Sequence, residues 1–184
     1  MTVTLVSGVN GVGLSSVCQA VRRGLGDGHK LINFGDVMLE QAAAMGITTE
    51  RAELAALSQT QTRRLQRRAG EFVADEAANA DVLLSTHLAV ETRAGYVQGL
   101  PAEVLHDVSP SAFILVEASP ETILDRRQES DREVPEATER KISFEQDLNR
   151  SAALQYARGQ DAPVRFVENE GSIEEAAERI AETL

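Results

Sequence analysis

Short apolar runs alternate along this chain with longer stretches whose apolar residues recur every third or fourth position. Residues 3–6, 30–34, 81–87, 112–117 and 164–167 are β-branched or leucine-rich runs and read as strands. Between them lie helical patterns. Residues 16–25 place Val17, Ala20, Val21 and Leu25 on one face. Residues 37–44 follow with Asp36 as the expected N-cap, then a short helix over 50–57. The long segment 58–80 turns Leu65, Ala69, Phe72 and Ala77 inward and leaves Arg63, Arg64, Arg67 and Arg68 as a solvated face. A helix opens at Pro101, and another is capped by Ser119 with Pro120 in its first turn. Capping boxes at Ser143 and Ser172 begin two more, the last carrying Ile173, Ala176, Ile180 and Leu184 on one side. Residues 94–101 read as a loop. The polar stretch 128–140, broken by Pro135, reads as a surface loop or as a lid carrying Arg132. Strands alternating with helices predict an α/β fold with a five-stranded parallel sheet flanked by helices, in one domain spanning 1–184.

Composition narrows the class. At 42% apolar but only 4% aromatic residues, the core is one of Leu, Val, Ala and Ile. No apolar run reaches membrane-spanning length and no leader pattern opens the chain, so a cytoplasmic protein is expected. A single Cys18 on the first helix allows no internal disulfide and reads as a small buried apolar residue. A net charge of −11 argues against nucleic acid as the main partner. Lysine occurs only at 30 and 141, every other cation being arginine. Acid excess with scarce lysine suits a halophilic protein, in which salt screens surface repulsion, although GC-rich coding also favours arginine.

Candidate chemistry begins directly after the first strand. Ser7-Gly8-Val9-Asn10-Gly11-Val12-Gly13-Leu14-Ser15-Ser16 joins a strand to a helix through three glycines. Such a turn lets backbone N–H groups and a helix N-terminus surround a phosphate. Gly8, Gly13 and Ser15 match the phosphate-loop spacing G-x-x-x-x-G-K-[ST], while Leu14 stands where that motif has its lysine. The third strand ends in Ser85-Thr86-His87, at the carboxyl edge where open α/β sheets bind ligands.

With Ser7–Gly13, Asn33-Phe34-Gly35-Asp36-Val37-Met38-Leu39-Glu40, Thr86-His87, Gly95-Tyr96 with Gly99-Leu100-Pro101, Arg126-Arg127 and Asn149-Arg150, the chain resembles the archaeal-type adenylate kinases nearly end to end. The resemblance implies a P-loop kinase-like three-layer fold with a monophosphate-binding flap (35–58) and a lid (128–142). It also implies reversible phosphoryl transfer from ATP with Mg²⁺ to AMP, and a trimer in some members. Under it, Gly8, Val9, Asn10, Gly11, Val12, Gly13, Leu14, Ser15 and Ser16 hold ATP, and the Ser15 hydroxyl meets Mg²⁺. Arg126, Arg132 and Arg150 surround the migrating phosphoryl group, where planar guanidinium suits bidentate contact. Arg126 and Arg127 are adjacent on a helix and diverge, and Arg126 is taken as the inward one. Gly35, Asp36, Arg51, His87 and Gly95 hold the acceptor, His87 serving equally well as a structural residue.

The chain departs from the family at phosphate-facing positions. Besides Leu14, Ser85 replaces an aspartate, Glu91 and Ala94 stand where basic residues are usual, and Ala55 and Ala56 replace a basic end of the flap helix. Two alternatives therefore stay open: a kinase with a different small acceptor, and a nucleotide-binding paralogue without turnover.

Overall fold

A computed structural model describes residues 1–26, 28–92, 95–129 and 137–184. Five parallel strands form the central sheet: β1 (Val3–Ser7), β2 (His29–Asn33), β3 (Asp81–Thr86), β6 (Ala112–Glu117) and β7 (Val164–Glu168), in the order β2-β3-β1-β6-β7. Strand β1 is central because all five of its residues are buried, so it needs a neighbour on each edge and a layer on each face. It pairs with β3 through Leu5↔Leu84 and with β6 through Leu5↔Phe113.

The two faces bury separate cores. One joins Leu5, Leu84 and Phe113 to α2 (Phe34–Ala44), α4 (Gln59–Ala77), α5 (Ala102–Val108) and α7 (Glu139–Gln160). The other joins Val6, Ile114 and Val116 to α1 (Leu14–Gly24), α6 (Pro120–Glu129) and α8 (Ile173–Ala181). Alternate residues of each strand therefore serve opposite layers, as the pleat requires. Cys18 is buried in the second core, and that burial pushes its thiol up to about 12. None of the helices among the described residues is long and apolar enough to cross a membrane.

Several local expectations are corrected. Helix α2 begins at Phe34 instead of 37, because the Asn33 side chain accepts from the Asp36 N–H and caps it; Asp36 is inside the first turn. Phe72 is 37% exposed, whereas Gly70 and Val73 are buried in its place. The close approach of Val104, 2.9 Å from where a Gly70 Cβ would stand, sets the rotation of α4, and Phe72 then lines an open cavity of about 460 Å³ beside edge strand β2. Helix α7 starts at Glu139 with Thr138 as its cap, a turn before Ser143. Pro101 lies just outside α5 as its N-cap residue. Leu184 is exposed, while Ala176 and Ile180 are buried as the α8 pattern predicts. The stretch expected as a loop contains β5 (Gly95–Gln98), paired antiparallel with β4 (Ala89–Thr92). Within 35–58 the chain forms all but the first residue of α2 and the short α3 (Arg51–Leu54), and the Thr48 hydroxyl in the connection bonds Glu53. Arg132 and Ala94 lie outside the described residues, as does the middle of the segment 128–142, residues 130–136.

Candidate active site

The strand order reverses at β1, whose neighbours β3 and β6 lead away in opposite directions, and open α/β sheets bind ligands in the crevice at the carboxyl ends there. The glycine loop leaves β1 at that point. A Cβ at Gly8 would lie 2.6 Å from Val12 Cγ1 and 2.9 Å from the Val116 carbonyl, so the chain passes only without one. Gly11 and Gly13 have φ of +85° and +86°, a left-handed region that glycine enters without penalty. Gly13 is the N-cap of α1 and no side chain caps that helix, which leaves its first amides available to an anion.

Side chains from three separate elements hold the loop's alternate carbonyls. His87 Nδ1 is 2.9 Å from the Gly8 carbonyl. Arg127 Nε donates to the Asn10 carbonyl at 2.8 Å. Asn169 Nδ2 donates to the Val12 carbonyl at 2.7 Å, and Arg126 Nη1 reaches the same oxygen at 3.3 Å. With its carbonyls tied to these donors, the loop has its amides left for a bound phosphate. Because a carbonyl only accepts, His87 Nδ1 carries the proton and the neutral ring keeps Nε2 as an acceptor. His87 retains exposed surface, yet the protein packed around it desolvates the imidazole. That desolvation, with a smaller push from Arg51, holds its pKa below the ordinary value against the opposing bond to Gly8.

The expectation that Arg126 is the inward member of its pair is corrected. Arg127 is only 5% exposed, and both side chains reach the loop. Its burial is matched by an ion pair with Glu145 at 2.7 Å, and Glu145 in turn accepts from the Tyr96 hydroxyl at 3.1 Å. Leu14 is partly buried against the second core, so its side chain serves packing and not charge. Ser15 is exposed in the first turn of α1. Ser85 is buried and donates sideways to the Ile32 carbonyl at 3.4 Å. Arg150 does not stand free: Glu117 holds its guanidinium at 2.8 and 2.7 Å, and Asp147 at 2.9 Å.

On the other side of the crevice the structure gathers Gly35, Asp36, Arg51 and His87. Arg51 pairs with Asp36 and lies 3.0 Å from where a Gly35 Cβ would be, and its charge is felt at His87. Gly95 opens β5 with φ of +114°, exposed, its carbonyl accepting from the Thr92 hydroxyl at 2.7 Å. Gly99 closes the hairpin so tightly that a Cβ there would overlap the His87 carbonyl.

Sequence reasoning sets Arg127 aside in favour of Arg126 and gives no site role to Asn169 or Glu145. Asn169 directly follows the last strand, and a polar residue at that carboxyl edge was the available signal. Nothing in spacing marks Glu145, whose partners come from distant segments.

Comparison with known proteins bears on this arrangement. Residues 7–143 match the family model described as an AAA domain. An adenylate kinase of Pyrococcus horikoshii is 36% identical, over 99% of this chain and 94% of its own. That of Methanopyrus kandleri is 36% identical over 99% and 97%, and that of Thermococcus onnurineus 34% over 99% and 94%. Among solved structures, shikimate kinase from Bacteroides thetaiotaomicron superposes with a TM-score of 0.64 at 15% identity, covering 99% of this chain and 97% of that one. At that identity the likeness speaks for the fold alone.

Proposed function

The chain belongs to the archaeal-type adenylate kinases, and we propose that its glycine loop takes ATP while Gly35, Asp36, Arg51, His87 and the Gly95 hairpin take AMP. It is a nucleoside monophosphate kinase that transfers a phosphoryl group reversibly, ATP and AMP giving two ADP. The observation that carries the site assignment is the loop itself, with three glycines that exclude a Cβ and carbonyls tied back to His87, Arg127 and Asn169.

Phosphoryl transfer needs positioning and charge neutralisation more than covalent chemistry. The amides of Gly11, Gly13, Leu14 and Ser15 bind the donor's phosphates, at the positive end of α1. Arg126 reaches the loop and offers its remaining N–H groups to the migrating group. Arg150 joins it by exchanging Glu117 or Asp147 for phosphate oxygen, and Arg132 completes the set. Mg²⁺ fits this reading. Among the described residues no cluster of three acidic, histidine or cysteine side chains could hold an ion, whereas Mg²⁺ usually keeps its waters and binds through substrate phosphates. It would be held by ATP with the exposed Ser15 hydroxyl and would neutralise charge on the phosphates. His87, neutral and fixed through Nδ1, orients the crevice floor and adds no charge there. The same proposal has the protein work in the cytoplasm on ATP and AMP, and its charge of −11 speaks against nucleic acid as a partner. The trimeric assembly of some members extends to it as part of the same proposal.

A coupled assay with ATP and a panel of monophosphates, with shikimate as a non-nucleotide acceptor, tests this reading. AMP is expected to exceed every other acceptor in kcat/KM. Preference for another acceptor, or ATP binding without turnover, would replace the proposal with one of the two alternatives raised by the departures at Leu14, Ser85, Ala55, Ala56 and Glu91.

A further inference from the structure

The buried pair Arg127–Glu145 does more than fill space, because each end of it is bound to a different part of the crevice. Glu145 Oε1 accepts from the Tyr96 hydroxyl at 3.1 Å, and its Oε2 accepts from Arg127 Nη2 at 2.7 Å. Arg127 Nε then donates to the Asn10 carbonyl at 2.8 Å. One unbroken chain of hydrogen bonds thus runs from the acceptor hairpin, through α7 and α6, into the glycine loop. The rest of the hairpin is fixed to the same helix. Lys141 pairs with Glu91 at 3.0 Å, Tyr96 meets Phe144 edge to face at 5.7 Å, and the Tyr156 hydroxyl bonds both the N–H and the carbonyl of Leu100.

We propose that Tyr96, Glu145 and Arg127 are positioning residues that couple the two nucleotide sites, so that a ligand held by the hairpin and one held by the loop each bind more tightly when the other is present. The inference rests on the reading that AMP sits on the hairpin side and ATP on the loop. A carboxylate shared between a hydroxyl and a guanidinium cannot reorient toward one without loosening the other. The Arg127 side chain, 3% exposed, has little water to turn to, so a shift of Glu145 is passed on to the Asn10 carbonyl. A ligand that fixes Tyr96 thereby fixes the loop, and the reverse holds equally. Tyr96 remains a donor throughout the working range. Desolvation, reinforced by Glu145, pushes its hydroxyl up to about 12.

Tyr96→Phe removes only the hydroxyl and keeps the ring against Phe144. Calorimetric titrations of AMP alone, of a non-hydrolysable ATP analogue alone, and of each in the presence of the other give the coupling factor. In the native protein each ligand is expected to tighten the other by the same factor, about fivefold or more. In Tyr96→Phe the factor falls to within about twofold of unity, whatever the variant's affinity for AMP alone, while the melting temperature hardly moves. Glu145→Gln should show the same loss, and the double variant should lose no more than either, since all three act on one chain. A native factor of one, or an undiminished factor in Tyr96→Phe, overturns the relay while leaving the assignment of the sites intact. Failure of AMP to bind the native protein at all would overturn both. Glu145→Gln is the variant more exposed to misfolding, and Tyr96→Phe decides the question without it.

Discussion

Replacing Gly13 by alanine adds one methyl group at the point where the loop becomes α1. With φ at +86°, an L side chain there costs about 1–2 kcal/mol of backbone strain. The new Cβ would also lie 2.7 Å from Asn169 Nδ2, which cannot retreat freely. Asn169 is 2% exposed, donates to the Val12 carbonyl, and has an Oδ1 with no partner among the described residues. Displacing it leaves the buried Asn169 amide without its acceptor and the Val12 carbonyl with only the longer Arg126 contact, worth about 1–3 kcal/mol. Together, Gly13→Ala is expected to destabilise the fold by about 2–5 kcal/mol. Urea denaturation measures this, since a shift of midpoint at constant slope reports stability directly. ATP affinity, read by calorimetry below the unfolding transition, should fall at least about tenfold, or 1.4 kcal/mol, because the amides that face the phosphates sit on this bend. Adding Asn169→Ala should remove the collision but not the strain, so the double variant is less unstable than the sum of the singles. A loss under about 0.5 kcal/mol, the range of an ordinary surface substitution, together with unchanged ATP affinity would refute the reasoning.

His87 gives stability a pH dependence of definite sign. Its folded pKa lies below the unfolded value of about 6.5. As pH falls through that value the unfolded chain takes up a proton that the folded one refuses, and stability drops until the folded pKa is reached. Comparing denaturation midpoints at pH 7.5 and 5.5 should show a smaller loss in His87→Gln than in the native protein; an equal loss assigns the effect elsewhere. Added KCl should raise the melting temperature, because the Debye length shrinks from about 10 Å at 0.1 M to about 3 Å at 1 M and the charge of −11 ceases to repel itself. A flat or falling melting temperature across that range would dismiss surface repulsion as a constraint on this fold.

The sheet was legible because its inner strands are runs of β-branched, leucine and phenylalanine residues, while edge strand β7 still alternates enough to read despite the exposed Arg165. The glycine loop was legible because its spacing states a backbone requirement. What the sequence obscured were choices settled by tertiary contact. Phe72 and Val73 compete for one inward position on α4, and only the approach of Val104 to Gly70 decides between them. Asn33 and Asp36 are both sound caps, and the register of β2 against β3 selects Asn33. The β4–β5 hairpin is too short and too exposed to announce itself by alternation. Leu14 reads as a missing lysine until it is seen packed against the second core. Arg126 and Arg127 differ by about 100° around α6, and the burial of Arg127 depends on Glu145 arriving from the following helix α7.

The account as a whole stands on the transfer between two nucleotides, and the reaction run backwards isolates it. ADP and Mg²⁺ alone, followed by ³¹P NMR after addition of the protein, contain no other acceptor and no other donor. The account predicts that ADP gives ATP and AMP in equal amounts until equilibrium is reached. ADP that persists unchanged, or that yields inorganic phosphate without ATP, would contradict it.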